Sequence, residues 1–591
     1  MIVKMKKITL IVSEKHINPA LQSLRQLGVV HIKHMIKPSA HHITSLENKI
    51  SLVEKSLLLK RGETNKNNGL INEDELYPMI KEINSLDEKN KRLKHKLEKL
   101  QNELEWFDEW GDISKYTLGE LKKSGVFIKL YVCNKKDFQS LSNEKLIFVV
   151  KEKGNLMFLA FTGISENDKL EIKEVEVPHE GLHSLEKNIS AVEAELKDID
   201  QRIEKLLGYK YLFVDYKRKL EKTLEFCKVR YGMTHEDEIC CLQGFCPNDD
   251  LSDIKKCSKK EGWGLVIEDT VDSSDVPTLI RHPRWVKMIQ PVFNFMGTIP
   301  GYEEYDISSW FLIFFSLFFA MLIGDAGYGV LFLLTTVFVR KKFFKAPSAP
   351  FKLMYILASG TIIWGAVTGN WFGFKEIAQL PFFNALVVGK LDSFVDANQM
   401  FLMYICLFIG AVQLTVAHGI AAFRYINKLY VFSQVGWILI VWGVFFFAGT
   451  LILDNPFPMF AKYLLIVGAS LVALFSNLQK NIFKGILISI ANLPLKLVGS
   501  FGDTLSYLRL FAVGYASVMV ATSFNEMALT VGFNNVFRGL GAAVILFIGH
   551  TLNIVLGFLS VLVHGIRLNM LEFSGHLDME WSGKEYKPFK E

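Results

Sequence analysis

Hydrophobic and polar positions change their pattern once along this chain, near residue 305. Before it, apolar residues recur at strand, helix and heptad spacings among abundant Lys, Glu and Asp. Over residues 306–573 Leu, Phe, Ile, Val, Gly and Ala dominate, the pattern of a membrane-embedded bundle. Apolar runs predict spans at about 353–374, 401–423, 431–453, 463–478, 497–527 and 539–573. The run 308–339 is too long for one untilted span and carries Gly324, Asp325, Ala326, Gly327, Tyr328 and Gly329 at its centre. It reads as two short tilted helices joined by a polar hairpin, which brings the bundle to about eight transmembrane helices.

In the polar half, residues 8–12 predict a strand, Asn18 and Pro19 a helix start, Gly28 its stop, and 29–35 a second strand. Heptad spacing follows at Ile83, Leu86, Leu93, Leu97, Leu100, Leu104 and Phe107, with Asn90 at an interior position suited to fixing register. A second run, Leu185, Ile189, Val192, Leu196, Ile199, Ile203 and Leu206, alternates steps of four and three and predicts the returning antiparallel strand of a coiled coil. Between them, 126–132 and 146–161, with a turn at Gly154 and Asn155, read as strands. The expected fold is a cytosolic α/β dumb-bell, two α/β lobes joined by a long antiparallel coiled coil, ahead of the α-helical membrane domain. Its parts are a proximal lobe (about 1–40 and 226–305), the coil (about 41–118 and 181–225) and a distal lobe (about 119–180). The membrane domain (306–591) ends in a charged tail. The soluble half has no phosphate loop, nucleophile motif or acid–base pair, so it reads as a strut or docking arm, with no cofactor and no catalysis of its own.

Charge placement sets sidedness. Residues 1–7 lead into a strand-like run, not an apolar signal core, so the first half is expected in the cytoplasm. The inner loops then hold Arg340, Lys341, Lys342, Lys345 and Lys352, next Arg424 and Lys428, and last Lys480, Lys484 and Lys496. The outer loops hold only Lys375, Lys390, Lys462 and Arg538. That bias agrees with eight spans and with both termini in the cytoplasm. The net charge of +6 on 591 residues is accounted for by loops facing an anionic leaflet, and nucleic acid is not indicated. Of seven cysteines, Cys240, Cys241, Cys246 and Cys257 cluster without the paired C-x-x-C knuckles of a zinc site, so no metal is expected.

The candidate chemistry lies in the apolar half. Arg509 falls inside a long apolar segment, where an arginine costs at least ~2.5–3.5 kcal/mol and stays charged. The last span carries His550, Asn553, Gly557, Ser560, His564 and Arg567 at steps of 3, 4, 3, 4 and 3, a polar stripe on one helix face. A small-residue helix interface accounts for Gly557 and Ser560 but not for Arg567. Counter-charges within this half are few: Asp325, Asp503, Glu526 and Glu572. None matches Arg509 in depth, so its partner is expected on another chain. Gln413 and His418 read as hydrogen-bonded structure or channel lining, and Asp325 as a turn residue at the interface or part of an ion exit.

SYLRLFAVG around Arg509, HGIRLNMLEF from His564, GDAGYG, GNWFG from Gly369, GYEEYD from Gly301 and the closing YKPF together resemble the membrane subunit of rotary V-type and A-type ATPases, called a, or I in bacteria and archaea. The resemblance spans the chain. It implies a stator beside a ring of proteolipid subunits, each with a lipid-buried carboxylate that gives up its proton or sodium ion opposite Arg509. It further implies two offset half-channels, with Ser506, His550, Asn553, Ser560 and His564, then Glu572, Asp503, Gln413 and Asp325, as lining or orienting candidates, and Arg567 as a second pathway charge. The arm would engage peripheral-stalk subunits and a central-stalk cap subunit, ATP chemistry would lie on partner subunits, and the membrane would be the plasma membrane of a bacterium or archaeon. The chain departs from the eukaryotic pattern at Ser517, where a histidine is expected, and at Gly557, where an acid is expected. Glu572, Asp503 or Glu526 would substitute for that acid, or the channel is tuned differently, for instance to sodium. A secondary transporter would need no coiled-coil arm and usually shows paired broken helices. A membrane-anchored scaffold leaves both arginines unexplained.

Overall fold

The computed structural model of the protein describes residues 1–59, 72–113, 115–135, 137–138, 147–163, 170, 172, 174–178, 180–236, 238–270, 273–344, 346–454, 456–477 and 481–590. Lys345 and Lys480 of the expected inner loops, and residues 146 and 478 at the edges of an expected strand and span, lie outside the described residues.

In chain order, β1 (Met5–Ser13), α1 (Ile17–Leu27) and β2 (His31–Lys33) precede the helices α2 (His41–Leu58) and α3 (Glu73–Trp110). Then come α4 (Lys115–Lys123), β3 (Phe127–Asn134), β4 (Ile147–Lys153), β5 (Leu156–Gly163), α5 (Leu182–Leu207) and α6 (Lys210–Tyr231). The polar half closes with β6 (Thr234–Glu236), β7 (Ile239–Pro247), α7 (Leu251–Glu261), β8 (Gly264–Asp269), β9 (Pro277–Thr278) and α8 (Gln290–Met296).

The chain divides into two compact units, one of residues 12–22 and 34–242, the other of 1–11, 23–33 and 243–590. The first unit is held by helix pairs. All seven predicted positions on α5 are buried, whereas on α3 Ile83 and Phe107 are buried and Leu86, Leu93, Leu97, Leu100 and Leu104 only partly so. Antiparallel pairing of α3 with α5 is fixed by Glu82 to Arg202 (2.8 Å) and Lys89 to Glu195 (2.6 Å). Asn90, 2% exposed, donates to Asp200 Oδ1 at 2.7 Å, so register rests on a polar pair inside an apolar seam. A second antiparallel pair, α2 with α6, widens the seam (Lys217 to Glu54, Lys228 to Glu47). Beyond α3 a three-stranded sheet, order β3-β5-β4, packs Leu130 and Phe158 on Trp110.

The second unit joins the sheet β2-β7-β1-β8 to the apolar helices. The strand expected over 29–35 shrinks to three residues because the carbonyls of Val29 and Val30 are taken by the carboxyl-terminal tail: Tyr586 Oη donates to Val29 (2.6 Å) and Phe589 N–H to Val30 (2.8 Å). β10 (Lys584–Glu585) pairs in parallel with β9, and Phe589 is buried. GYEEYD ties the same region together. Glu304 accepts the amides of Gly301, Glu580 and Trp581, Tyr302 Oη accepts Met5 N–H (2.8 Å), and Asp306 accepts the Met1 amine (2.5 Å) and Ser308 N–H (3.2 Å).

The apolar helices are α9 (Ser308–Ile323), α10 (Ala326–Lys342), α11 (Ser348–Val367), α12 (Gln399–Arg424), α13 (Val431–Leu453), α14 (Met459–Phe475), α15 (Ile482–Ser506), α16 (Leu508–Val531) and α17 (Val536–Ser560). Among the described residues five stretches are long and apolar enough to cross a membrane, α9 and α10 form a pair bent by 119°, and α14 is a shorter apolar helix. α9 is apolar all round and buries eleven of its sixteen residues, as expected of a central helix.

Two expectations fail here. The segment 497–527 is not one helix: α15 ends at Ser506 and α16 begins at Leu508. At the junction Arg509 Nε donates to the Ser506 carbonyl (2.9 Å), taking an acceptor the helix would otherwise use, and Tyr507 and Leu510 bond three residues back. Together α15 and α16 span 49 residues, about 70 Å and more than twice a bilayer core of roughly 30 Å. The polar stripe also fails as a continuous face. Beyond Ser560 the chain runs through π-helical turns at Val561–Gly565 and Leu568–Phe573, whose i→i+5 bonding ends the 3.6-residue phase.

Docking of the tail combines packing with charge. Asp275 meets Lys33 and Lys584 at 2.7 Å each, and these contacts lower its carboxyl pKa from 3.8 to about 2. The stabilisation is therefore complete above the ordinary carboxylate range and lost as pH falls through about 2. Replacing Phe589 with Ala removes a buried aromatic worth about 3–5 kcal/mol. Limited proteolysis is expected to release the tail of Phe589→Ala at neutral pH while Asp275→Asn shows only a modest increase; equal protection of Phe589→Ala and the unaltered chain would contradict this.

Candidate functional site

Arg509 stands in the first turn of α16, directly after the break. Its Nη2 meets Glu572 Oε1 at 2.5 Å, and Arg567 Nε lies 3.6 Å from the same oxygen. The Glu572 side chain is 3% exposed, Arg509 25% and Arg567 54%. The expectation that no carboxylate of this chain reaches Arg509 is therefore corrected. The π-turns carry Glu572 inward, which a continuous α-helical reading does not show. One carboxylate against two guanidiniums leaves a net positive charge, and Glu572 Oε2 has no partner among the described residues. An ion pair away from water needs hydrogen-bonded support to be worth its desolvation.

Gln413 supplies the bracing. Tyr507 Oη donates to Gln413 Oε1 (2.9 Å), Gln413 Nε2 donates to Asn569 Oδ1 (2.9 Å), and Asn569 Nδ2 donates to the Gly565 carbonyl (3.1 Å). Tyr507 marks the break before Arg509 and Asn569 lies in the π-turn before Glu572, so one glutamine on α12 holds both halves of the ion pair. Gln413 is fully buried and bonded once at each end of its amide, which suits it to bracing.

The other predicted residues separate into three groups. Asp325, expected at the interface, is 1% exposed. Its Oδ1 accepts the amides of Gly327, Tyr328 and Phe372 and so caps α10. GDAGYG and GNWFG thus interlock: Asn370 donates to the Gly324 carbonyl and accepts Ala326 N–H and, on its side chain, Gly373 N–H. Gly373 has φ +70° and a Cβ there would lie 2.6 Å from Ala521 Cβ, so both conformation and space require glycine.

His550 and Asn553 belong to a network across α10, α16 and α17. His550 bonds Tyr328 Oη (2.7 Å) and Asn525 Oδ1 (3.1 Å), while Asn553 accepts from Ser517 Oγ (2.9 Å) and donates to Tyr328 Oη and the Ser517 carbonyl. Seventeen helical residues, roughly 25 Å, separate His550 from Arg567, so the structure does not bring them together. His564 and the half-buried Ser560 lie between, and His564 Nδ1 has no partner among the described residues. Ser506 Oγ is spent on the Gly502 carbonyl. Asp503 Oδ2 meets His576 Nε2 at 3.2 Å, and His576 continues to His418. Sequence reasoning missed Tyr507, Tyr328, Asn525, Asn569 and His576. Tyr507, Tyr328, Asn525 and Asn569 are polar groups in apolar runs, the signal that would have flagged them, whereas His576 lies past the last apolar run, in the charged tail.

A helical membrane bundle closed around a fixed positive charge is the class these features define, and comparison with known proteins narrows it. Residues 149–352 match the V-type ATPase 116 kDa subunit family. The V-type ATP synthase subunit I of Borreliella burgdorferi is 32% identical over 100% of this chain and 99% of its own length. Treponema pallidum V-type ATP synthase subunit I 1 is 29% identical over 100% of both, and the Methanocaldococcus jannaschii A-type subunit I 24% over 81% of this chain and 74% of that protein. The solved cytoplasmic N-terminal domain of subunit I, homolog of subunit a, of V-ATPase aligns with 44% of this chain and 99% of that domain, at 14% identity and a TM-score of 0.25. The chain belongs to the V-type ATPase 116 kDa subunit family. It is a membrane subunit of a rotary V/A-type ATPase, not a secondary transporter or a free scaffold.

Removing Glu572 leaves two guanidiniums uncompensated, a cost of about 3–5 kcal/mol for a broken buried pair. Glu572→Ala is expected to lower recovery of the subunit from membranes, and Glu572→Gln, which keeps an oxygen acceptor, to recover most of it. Equal recovery of Glu572→Ala and the unaltered chain would show that the pair carries no structural weight.

Proposed function

We propose that this chain is the stator against which a proteolipid ring turns, and that Arg509, oriented by Glu572, is the fixed charge each ring carboxylate passes. The observation that carries the reading is the net positive, braced cluster of Arg509, Arg567 and Glu572. An ionised ring carboxylate brings that cluster to neutrality, and a protonated or sodium-loaded one leaves it positive. The carboxylate therefore releases its ion there and takes one again on leaving. Glu572 does not consume the arginine. A guanidinium has five N–H donors; Nε is bound to Ser506 and Nη2 to Glu572, and the rest of the fork serves the passing carboxylate.

Position supports the same reading. The most apolar eighteen residues within the stretches bearing the arginines, 483–531 and 536–573, are only 17% and 22% buried, against 44% and 50% for those within 396–424 and 431–453. They are an edge of the bundle suited to a second apolar partner. His550 and Asn553 at one end and Asp503 at the other belong to two offset half-channels, with Ser560 and His564 between them.

Both chain ends bind one lobe, through Met1 with Arg281 and Phe589 with Val30. The number of crossings between them is then even, and two crossings by the bent α9–α10 pair give eight, with both termini on the cytoplasmic side of a bacterial or archaeal membrane. The paired helices and three-stranded sheet of the other unit form the arm, a strut that carries reaction torque to peripheral-stalk and central-stalk cap subunits. ATP is made or hydrolysed on partner subunits.

Arg509→Ala in the whole complex, reconstituted in proteoliposomes, is expected to leave the ring and nucleotide-binding subunits co-purifying while ATP-driven ion uptake is lost. Uptake at the unaltered rate would refute the role given to Arg509.

A further inference from the structure

A cavity of about 300 Å³ lies between α12, α13, α15 and the segment after Phe573, lined among others by His418, Gln434, Ser500, Asp503 and His576. It lies at the end of the bundle nearest the proximal lobe. Arg424, six residues beyond His418 on α12, donates to the Glu303 carbonyl at 2.7 Å, and Glu580, four beyond His576, is held by Glu304. Ser500, 3% exposed, is among the lining residues, and its buried Oγ has no partner among the described residues. A wall carrying His418, Gln434, Lys496, Asp503, His576 and Asp578 suits a polar occupant and not apolar packing.

Four side chains along this wall form one line. Asp503 Oδ2 lies 3.2 Å from His576 Nε2, His576 Nδ1 lies 3.0 Å from His418 Nε2, and His418 Nδ1 lies 2.7 Å from Gln434 Oε1. The proton count is informative. With Gln434 presenting its oxygen, the three contacts need three protons, and two neutral imidazoles supply two. The line is then complete only with one proton more than the neutral pair holds. When the amide turns to present Nε2 as donor, two protons suffice and the neutral pair is complete. The same four residues thus satisfy their contacts in two states that differ by one proton and by one amide rotation. A proton bound at one ring nitrogen is matched by release from another, with no other bond made or broken.

We infer that the His576–His418 pair, with Asp503, is a proton-exchanging station in the lobe-side access path, and that the ion this subunit passes is a proton. The inference rests on the stator reading above. His576 is one turn past Glu572 and its N–H donates to the Glu572 carbonyl at 3.4 Å, so the station and the counter-ion of Arg509 share one segment. The link between the two rings is nitrogen to nitrogen at 3.0 Å, a contact that passes a proton and gives a hard cation no oxygen ligand at that step. Other titratable groups on the cavity wall are Tyr430, Lys496 and Asp578, and Lys496 and Asp578 bear on the pH at which the pair loads.

The test uses the whole complex in proteoliposomes, with ATP-driven internal acidification measured in sodium-free buffer. The unaltered complex is expected to acidify without sodium. His576→Ala is expected to slow acidification roughly tenfold or more, within the range of a lost proton-transfer group, with ring and stalk subunits still co-purifying. 4-Methylimidazole, small enough for the vacated space beside the cavity, is expected to restore part of the rate, which a purely structural loss would not allow. Should His576→Ala fail to assemble, His418→Gln, close in volume, decides by the same loss of acidification. Strict dependence on sodium without acidification, an unchanged rate in the variant, or a loss that imidazole does not relieve would each overturn the proposal. An unchanged His576→Ala beside an inactive Arg509→Ala sinks this station alone; an active Arg509→Ala sinks the stator reading.

Discussion

Everything in the apolar half depends on keeping a guanidinium charged, immobile and accessible in a place that disfavours charge. The solution is asymmetric: one inaccessible carboxylate between two arginines of graded exposure. Matching charge for charge would have produced a neutral, inert pair. On the stator reading proposed above, the shortfall of one negative charge gives the cluster its use, since a mobile carboxylate completes it. The surrounding irregularities follow from that requirement. The helix breaks at Tyr507 because Arg509 takes the Ser506 carbonyl, and the last helix widens into π-turns that bring Glu572 to face it.

Much of the fold was legible because its causes are periodic. Leu185 to Leu206 announce a buried seam, and α5 buries those positions. The charged half of α3 was less legible, since Leu86 to Leu104 keep heptad spacing while only partly buried against one partner. The hairpin at Gly324 was legible as a turn, but not its lock, because Asn370 lies 46 residues from the Gly324 carbonyl it binds. No local pattern encodes a partner at that separation.

The site was legible in its residues and not in its geometry. Arg509, Arg567, Glu572, Asp503 and Gln413 were all identifiable as polar groups in apolar runs, yet their pairing was not. Sequence periodicity assumes an unbroken helix, and no glycine or proline lies within four residues of Tyr507 or between Ile566 and Phe573; only Gly565, closing the first π-turn, stands at a departure. The breaks arise from side chains competing for backbone carbonyls, a tertiary effect. The same blindness turned His550 to Arg567 into one stripe when it serves two separate clusters.

The docked tail bears on how the molecule is made. Tyr586 and Phe589 fill acceptors on Val29 and Val30, residues translated before any membrane helix, yet they emerge only after the last helix has been produced. The proximal sheet therefore waits, with two backbone carbonyls unclaimed, until insertion of the bundle has finished. A chain truncated before Tyr586 lacks these two bonds and leaves the lobe unfinished.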